Sequence, residues 1–200
     1  MGEIKKTNLD RYQNSRDNDY GEGSKGRIQS YITRLKELRA SLPDELQSVD
    51  SLDNYVGNIA FSIANIEGYI IDELKAFSKY GNKNKSGVIN SIDGWVSIGA
   101  KPAYGEYLLK VNGKNQISEN GYLRIFDTEY KLVEQYAVIL GSNIDATGTI
   151  VIVSEREVCP SCDNVIKAFS RDYYNLQIIV IDGYGNMYRV KGGIIIEGEQ

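Results

Sequence analysis

Two short motifs, one acidic and one containing both cysteines, carry the side chains best suited to chemistry. Asp127, Thr128 and Glu129 form a D-x-E spacing, and Cys159 and Cys162 form a C-x-x-C spacing. Catalytic zinc sites use three protein ligands and leave a fourth position for water, and thiolates are among the preferred ligands. Because the chain has no histidine, a carboxylate is the candidate third ligand. Asp127 is the best placed, and Glu129 would then carry protons to and from a water molecule.

Each motif also has a simpler explanation. Acidic residues are favoured in the first turn of any helix by capping and by the helix dipole. A C-x-x-C that follows a strand and opens a helix is also typical of a thioredoxin-like redox site. The two motifs together are much more specific than either one, but the residues alone leave three alternatives open: a catalytic zinc site, a redox pair, or an incidental pattern.

The composition excludes several other classes of protein. The chain has 200 residues, of which 42% are hydrophobic and 25% are charged, as in an ordinary globular protein. The absence of histidine excludes Ser-His-Asp catalysis, Cys-His catalysis and H-E-x-x-H metal helices. Two cysteines three residues apart cannot form a disulfide framework. A net charge of −4 argues against a broad basic surface for duplex DNA, although a local basic groove is compatible with it.

The first part of the chain predicts a tail and a helix. Residues 1–24 contain almost no apolar side chains and are predicted to be a disordered polar tail. Residues 25–50 are predicted to be a helical extension, because apolar residues recur at steps of three and four until Pro43. Residues 55–200 are predicted to form the catalytic domain. The sequence shows neither an N-terminal signal peptide nor an apolar run long enough to span a membrane.

The rest of the chain predicts the strands and helices that position the two motifs. Residues 149–154 and 176–182 are apolar on both faces, which indicates buried, central strands. Helices are expected over residues 127–140 and directly after Cys159, so their starts meet at one edge of the sheet. The short turn at residues 182–186 can join only antiparallel strands. Further strands are expected near residues 59–63, 121–126 and 187–190, residues 69–78 are ambiguous, and residues 80–120 suggest a binding loop.

Three of these segments resemble the bacterial toxin-deaminase branch of the zinc-dependent cytidine deaminase superfamily. The segments are FDTEYKLVEQYA, GTIVIVSEREVCPSCDNVIKAFS and LQIIVID, and the resemblance extends over about residues 55–190. That superfamily is marked by H-x-E on one helix and P-C-x-x-C on the next. In this chain Asp127 takes the place of the histidine and Val158 takes the place of the proline.

The resemblance implies a fold and a mechanism. The fold is α/β, a three-layer sandwich in which a mixed five-stranded sheet carries helices on both faces and the last two strands are antiparallel. The implied cofactor is Zn²⁺, held by Asp127, Cys159 and Cys162. Glu129 is the implied catalytic residue, which moves protons while water replaces the amino group of cytosine and uracil forms.

The resemblance also implies substrates, partners and a place of action. The expected substrate is a nucleotide or nucleic acid, with single-stranded DNA favoured, and Asn58, Ser78, Thr128 and Ser161 are further candidates for binding it. Trp95, Tyr122 and Arg124 are additional candidates. The chain would be the monomeric toxin domain of an interbacterial effector, without membrane association. It would be exported from a bacterium without a recognisable N-terminal signal, act in the cytoplasm of the target cell, and be blocked by a cognate immunity protein.

Two hypotheses from other classes compete with this one. A redox protein built on Cys159 and Cys162 would form a reversible disulfide, bind no metal and not need Glu129. A catalytically inactive interaction module would fold and bind a partner but turn over no substrate. The replacement of the expected histidine by Asp127 makes the second of these a serious alternative.

Overall fold

A mixed six-stranded sheet forms the centre of the computed structural model, which describes residues 22–47, 56–83, 89–90 and 94–199. The predicted polar tail lies outside these residues, except for its last three positions, which belong to the backbone of the first helix. The helices are α1 (Glu22–Ala40), α2 (Asp44–Gln47), α3 (Thr128–Leu140) and α4 (Pro160–Asp172). The strands are β1 (Ile59–Ile66), β2 (Leu74–Phe77), β3 (Asn82–Lys83), β4 (Ile89–Asn90), β5 (Lys110–Val111), β6 (Tyr122–Leu123), β7 (Gly148–Ser154), β8 (Leu176–Ile181), β9 (Met187–Lys191) and β10 (Ile194–Glu199).

The order of strands in the large sheet is β10-β9-β8-β7-β1-β2. Strands β7 and β8 are parallel, and every other neighbouring pair in this sheet is antiparallel. The central place of β7 agrees with its apolar sequence, and the antiparallel pairing of β8 with β9 agrees with the short turn between them. The sheet has six strands rather than the expected five because the last residues, from Ile194 onward, add β10 to one edge.

Helices cover both faces of the sheet, as a three-layer sandwich requires. Helices α3 and α4 pack on one face through a core that includes Tyr136, Val165 and Phe169. Helix α1 packs on the other face, where Leu35 and Leu38 meet side chains of β1, β2, β7 and β8. The amphipathic pattern of the first helix is therefore explained by its packing on the sheet. Within the described part of the chain, the helices are too short or too polar to cross a membrane.

Two segments differ from what the sequence suggested. The ambiguous residues 69–78 contain the edge strand β2, because Leu74–Phe77 pairs with the start of β1. The expected strand over residues 121–126 is reduced to β6, a two-residue strand that pairs only with β5. Short local pairings of this kind are set by turns and not by periodicity, so the alternation of apolar and polar side chains does not predict them.

The pairing of strands brings several strand ends to one edge of the sheet. In the register of β1 with β7, Ala60 lies opposite Ser154, so the start of β1 meets the end of β7. The end of β2 lies beside the same start, because Ile59 pairs with Phe77. Since β7 and β8 are parallel, the end of β8 lies at this edge as well. The loops that follow β2, β7 and β8 and the loop that precedes β1 therefore meet at this edge, where α3 and α4 begin.

Candidate functional site

Asp127 occupies the N-cap position of α3 but does not cap the helix. Its backbone is extended, with φ −65° and ψ 147°, and its carboxylate makes no hydrogen bond to the amides of the first turn. Oδ2 lies instead 3.3 Å from Sγ of Cys159 and 3.5 Å from Sγ of Cys162. The capping explanation therefore fails for Asp127, whose side chain faces the two thiols.

The two cysteines belong to the start of α4. Cys159 is the N-cap residue, and its sulfur accepts a hydrogen bond of 3.4 Å from the backbone N–H of Cys162. Pro160 takes the first helical position, where its fixed φ and missing N–H do not disturb the helix. Both thiols are free and buried, and the residue Cys162 is 0% exposed. The helix start thus holds both sulfurs close to the carboxylate of Asp127.

This cluster has the donor set and the spacing of a zinc site. One ligand atom from each of Asp127, Cys159 and Cys162 can be chosen so that all three lie within 4.8 Å of one another. Zinc bound tetrahedrally at typical Zn–S and Zn–O lengths separates a sulfur from an oxygen by roughly 3.5 Å, close to the 3.3 and 3.5 Å observed. Among the described residues, no other group of histidine, cysteine and carboxylate side chains meets this spacing. Three protein ligands is the number used in catalytic zinc sites.

Glu129 lies in the same first turn but in a different environment. Its carboxylate is buried, and its Oε1 accepts hydrogen bonds from the hydroxyl of Ser154 and, at 3.3 Å, from the amide of Asn58. Its Oε2 accepts one of 3.1 Å from Thr128. Burial raises the pKa of Glu129, the charge of Asp127 adds to that effect, and the hydrogen bond from Ser154 opposes it. A carboxyl group whose pKa is raised in this way is suited to proton transfer near neutral pH.

Asn58 connects the start of α3 to the end of β7. Its Nδ2 lies 2.8 Å from Oγ1 of Thr128 and 3.0 Å from Oγ of Ser154, in addition to its contact with Glu129. Its backbone N–H donates to the hydroxyl of Ser78 at 2.8 Å. The amide oxygen of Asn58 is buried and has no hydrogen-bond partner among the described residues. That oxygen can therefore accept a hydrogen bond from a bound molecule.

A cavity of about 290 Å³ is lined by residues of both the Asp127–Cys159–Cys162 cluster and the hydrogen-bond network around Glu129. We call it the first cavity. Of the candidates chosen from the sequence, Asn58, Ser78, Asp127, Glu129 and Cys159 line it, and Arg124 does so as well. The other lining residues, which no sequence pattern had marked as candidates, are Gly57, Gly113, Asn115, Arg156, Glu157 and Tyr184. Tyr184 is 79% exposed. Its place between two glycines in a short turn was the one available signal that it would be displayed to solvent.

The remaining candidates lie outside the walls of the first cavity. Thr128 is fully buried and serves the Glu129 network. Ser161 is also buried, and its hydroxyl accepts a 2.9 Å hydrogen bond from the backbone N–H of Leu109, so it holds a neighbouring loop. Trp95 packs by ring contacts against Phe77 and Tyr80. Tyr122 is exposed and accepts a 3.2 Å hydrogen bond from Arg124.

A buried ion pair, which the sequence did not reveal, supports the segment that carries Asn58. Arg39 of α1 donates through both Nε and Nη2 to the carboxylate of Glu155, just after β7. Its guanidinium also donates to the carbonyls of Val56, at 3.1 Å, and Gly57, at 3.4 Å. Helix α1 therefore holds the backbone directly before Asn58, although it lies on the sheet face opposite α3.

Comparison with known proteins agrees with this geometry. The chain belongs to the toxin-deaminase family described as the BURPS668_1122 family of deaminases, whose family model matches residues 35–183. The family model spans the D-x-E and C-x-x-C motifs, all of the first cavity except Tyr184, and the part of α1 that carries Arg39. Membership of this family implies a hydrolytic deaminase, and an Asp/Cys/Cys metal site is compatible with one. No curated protein and no solved structure gave a match to this chain.

Proposed function

We propose that this protein is a zinc-dependent hydrolytic deaminase that converts cytosine to uracil in nucleic acid or nucleotides, with single-stranded DNA as the favoured substrate. The observation that carries the proposal is the convergence of Asp127, Cys159 and Cys162 within ligand distance of one another. Glu129 lines the same cavity, and its pKa is raised by burial. These are the parts that hydrolytic deamination needs: a metal site, a proton carrier and a space for the base.

Asp127, Cys159 and Cys162 would hold the zinc, which lowers the pKa of a water molecule so that a nucleophile is available near neutral pH. Glu129 would accept the first proton of the attacking water as its oxygen bonds to C4 of cytosine, and would pass that proton to the ring nitrogen. It would then take the second proton from the new hydroxyl on C4 and pass it to the amino group, so that the C4–N bond breaks, ammonia leaves and the carbonyl of uracil forms. The free amide oxygen of Asn58 accepts a hydrogen bond from the base or its sugar.

The geometry argues against a redox pair as the function of the two cysteines. A redox-active cysteine is partly exposed, and its pKa is low enough to give a thiolate. Both thiols are buried, since Cys159 is 4% and Cys162 0% exposed, and contact with Cys159, burial and the nearby carboxylates raise the pKa of the Cys162 thiol. Oδ2 of Asp127 also lies against both sulfurs, as a third ligand of the same metal would.

We propose further that the protein acts as the toxin domain of an interbacterial effector. The support for this is its place in a family of toxin deaminases. The producing bacterium would then need a cognate immunity protein that covers the first cavity, and the target would be the nucleic acid of a rival cell. Cells that express the protein should accumulate C-to-T changes, and co-expression of the immunity protein should prevent them.

Product formation in vitro is the direct test of the proposed reaction. The zinc-loaded protein is incubated with cytosine-containing single-stranded DNA, with RNA and with cytidine nucleotides, and uracil is measured by mass spectrometry. The control is Glu129→Gln, which keeps the shape of the side chain and removes the proton carrier. Uracil formed by the native protein and not by Glu129→Gln supports the proposal. No uracil in any substrate contradicts the enzymatic function and favours an inactive module.

A further inference from the structure

Lys131, on α3, is a buried lysine to which the reaction described above gives no role. The residue is 0% exposed, and its ammonium donates hydrogen bonds to the backbone carbonyls of Phe77, at 2.8 Å, and of Tyr80. Burial lowers the pKa of Lys131 to about 8, which means that the ammonium is held at a cost. An apolar side chain of similar length would avoid that cost. What lysine adds at this position is therefore its bonds to the two carbonyls.

The two carbonyls belong to the ends of the turn that follows β2. The carbonyl of Phe77 also accepts a 3.0 Å hydrogen bond from the backbone N–H of Tyr80, which closes the turn. Within the turn, Ser78 lines the first cavity. Because Lys131 binds the turn at both ends, it fixes the path of the backbone that carries Ser78.

Ser78 in turn holds Asn58. The backbone N–H of Ser78 donates to the carbonyl of Asn58 at 2.9 Å, and the hydroxyl of Ser78 accepts the 2.8 Å hydrogen bond from the backbone N–H of Asn58. The two segments are in close contact, since a Cβ at Gly57, where φ is 74°, would lie 2.7 Å from Cε2 of Phe77 and 2.9 Å from Oγ of Ser78. A displacement of the turn would therefore displace Asn58.

The side chain of Asn58 returns this series of contacts to α3. Its amide donates a 3.3 Å hydrogen bond to Glu129, which lies two positions before Lys131 on the same helix. Helix α3 thus carries both the carboxylate that receives the amide and the ammonium that fixes the turn behind it. On the other face of the sheet, Arg39 binds the carbonyls of the two residues before Asn58. A buried cation from each face therefore secures the surroundings of Asn58.

We propose that Lys131 is a positioning residue for the deamination: its ammonium fixes the turn after β2 and, through Ser78, keeps the amide of Asn58 against Glu129. This inference rests on the proposed deaminase function. Lys131 does not line the first cavity, so it acts through Ser78 and Asn58 and not on the substrate. Loss of the ammonium should loosen Asn58 and leave the zinc in place.

The first measurement is the side-chain amide signal of Asn58 in the NMR spectrum of the zinc-loaded protein, assigned by its disappearance in Asn58→Ala. Lys131→Met keeps a long, unbranched side chain and removes the ammonium. In this variant we expect the signal to shift and its protons to exchange with solvent roughly tenfold faster, the effect of one lost hydrogen bond. Lys131→Gln, which retains a donor, should show a smaller change. Tyr136→Phe is the matched control, because it removes a buried 2.7 Å hydrogen bond between α3 and Ser62 of β1, and it should leave the signal unchanged.

The second measurement is kcat/KM on a cytosine-containing substrate. Lys131→Met should lower it roughly tenfold, with zinc content at that of the native protein. Added to Asn58→Ala, the same substitution should have almost no further effect, because its influence passes through Asn58. Tyr136→Phe should leave kcat/KM unchanged in either background.

Three outcomes would overturn the proposal. The first is an Asn58 signal and a kcat/KM that are both unchanged in Lys131→Met. The second is an additive effect of Lys131→Met and Asn58→Ala in the double variant. The third is loss of zinc or of the native fold in both Lys131 variants, because Lys131 would then be needed for folding and not for positioning. If no substrate yields uracil, the deaminase function fails, while the Asn58 signal still decides whether Lys131 positions that side chain.

Discussion

The cluster around Asp127 and the network around Glu129 begin in the same turn of α3, and they differ in what surrounds the carboxylate. Asp127 receives no hydrogen bond from the helix and faces the two thiols of Cys159 and Cys162. Glu129 receives hydrogen bonds from Asn58, Thr128 and Ser154. The first arrangement offers its donor atoms to a ligand from outside, whereas the second holds one carboxyl group in place.

This difference assigns separate roles to two residues of the same chemical type. A carboxylate and two thiols whose ligand atoms face one another are an arrangement for a cation. A buried carboxyl group with fixed hydrogen bonds and a raised pKa is an arrangement for a proton. Substitutions in the cluster should therefore change metal binding, and substitutions in the network should change turnover while the metal stays.

The largest effect is expected from the cysteines. Cys159→Ser and Cys162→Ser should each lower zinc affinity by at least ~100-fold, because the loss of a ligand exceeds the 10- to 100-fold typical of its supporting contacts. Turnover and zinc-dependent stability should be lost together, since metal binding is coupled to folding. The measurements are metal content and unfolding with and without a chelator. A chelator that leaves the unfolding of the native protein unchanged would show that the cysteines hold no metal.

Glu129→Gln should separate turnover from metal binding. We expect turnover to fall by at least ~100-fold, the usual scale for a missing general acid–base group. Zinc content should remain at that of the native protein, because Glu129 lies outside the ligand cluster. Steady-state kinetics and metal analysis on one preparation provide the comparison. Loss of zinc in this variant would mean that the network and the cluster are not separate.

The ion pair between Arg39 and Glu155, which supports the segment before Asn58 from the opposite face of the sheet, should contribute to the free energy of unfolding. Arg39→Met leaves Glu155 buried without its partner and should cost ~3–5 kcal/mol, as expected for one broken side of a buried ion pair. Arg34→Met on the same helix is the matched control and should cost about 1 kcal/mol, because Arg34 is more exposed. Urea unfolding of the two variants measures the difference. Equal costs would show that the Arg39 pair contributes no more than a surface pair.

The smallest effect is expected from a single hydrogen bond to Glu129. The contact with Ser154 lowers the pKa of Glu129, so Ser154→Ala should raise that pKa further. The acidic limb of the pH profile of kcat/KM, below which Glu129 is protonated and cannot accept a proton, should then move to higher pH. Ser62→Ala removes a buried hydroxyl that is bonded to Tyr136 and should leave the limb in place. An unmoved limb in Ser154→Ala would argue that another group titrates there.

The sequence predicted the parts of the molecule that follow from local patterns. Helices α3 and α4 and strands β7 and β8 have strong periodicity or continuous apolar runs, and the D-x-E and C-x-x-C motifs have fixed spacings on them. The family resemblance is confirmed by the family model over residues 35–183. The mixed sheet, the helices on both of its faces and the antiparallel pairing of its last strands were therefore predicted. The prediction of five strands did not include β10.

The parts that the sequence did not predict depend on distant pairings. Arg39 and Glu155 are 116 positions apart, and no local pattern relates them. Asn115 and Tyr184 reach the site through loops whose path is set by turns and by packing on the sheet. Ser161 lies between the cysteines in sequence, but its side chain faces a loop, because successive side chains of a helix point in different directions. The division of the chain at residues 24, 50 and 55 stays a prediction.

The affinity of the protein for zinc with and without Asp127 tests the central assignment most directly. Competitive titration with a chromophoric chelator would be applied to the native protein, to Asp127→Ala and to Glu129→Ala, which removes a carboxylate from the same helical turn. We expect about one tightly bound zinc per chain, an affinity at least ~100-fold lower in Asp127→Ala, as for the loss of either cysteine ligand, and an undiminished affinity in Glu129→Ala. Asp127→His should restore binding, because imidazole is a common zinc ligand. An undiminished affinity in Asp127→Ala would show that the third ligand lies elsewhere and would contradict the site described here.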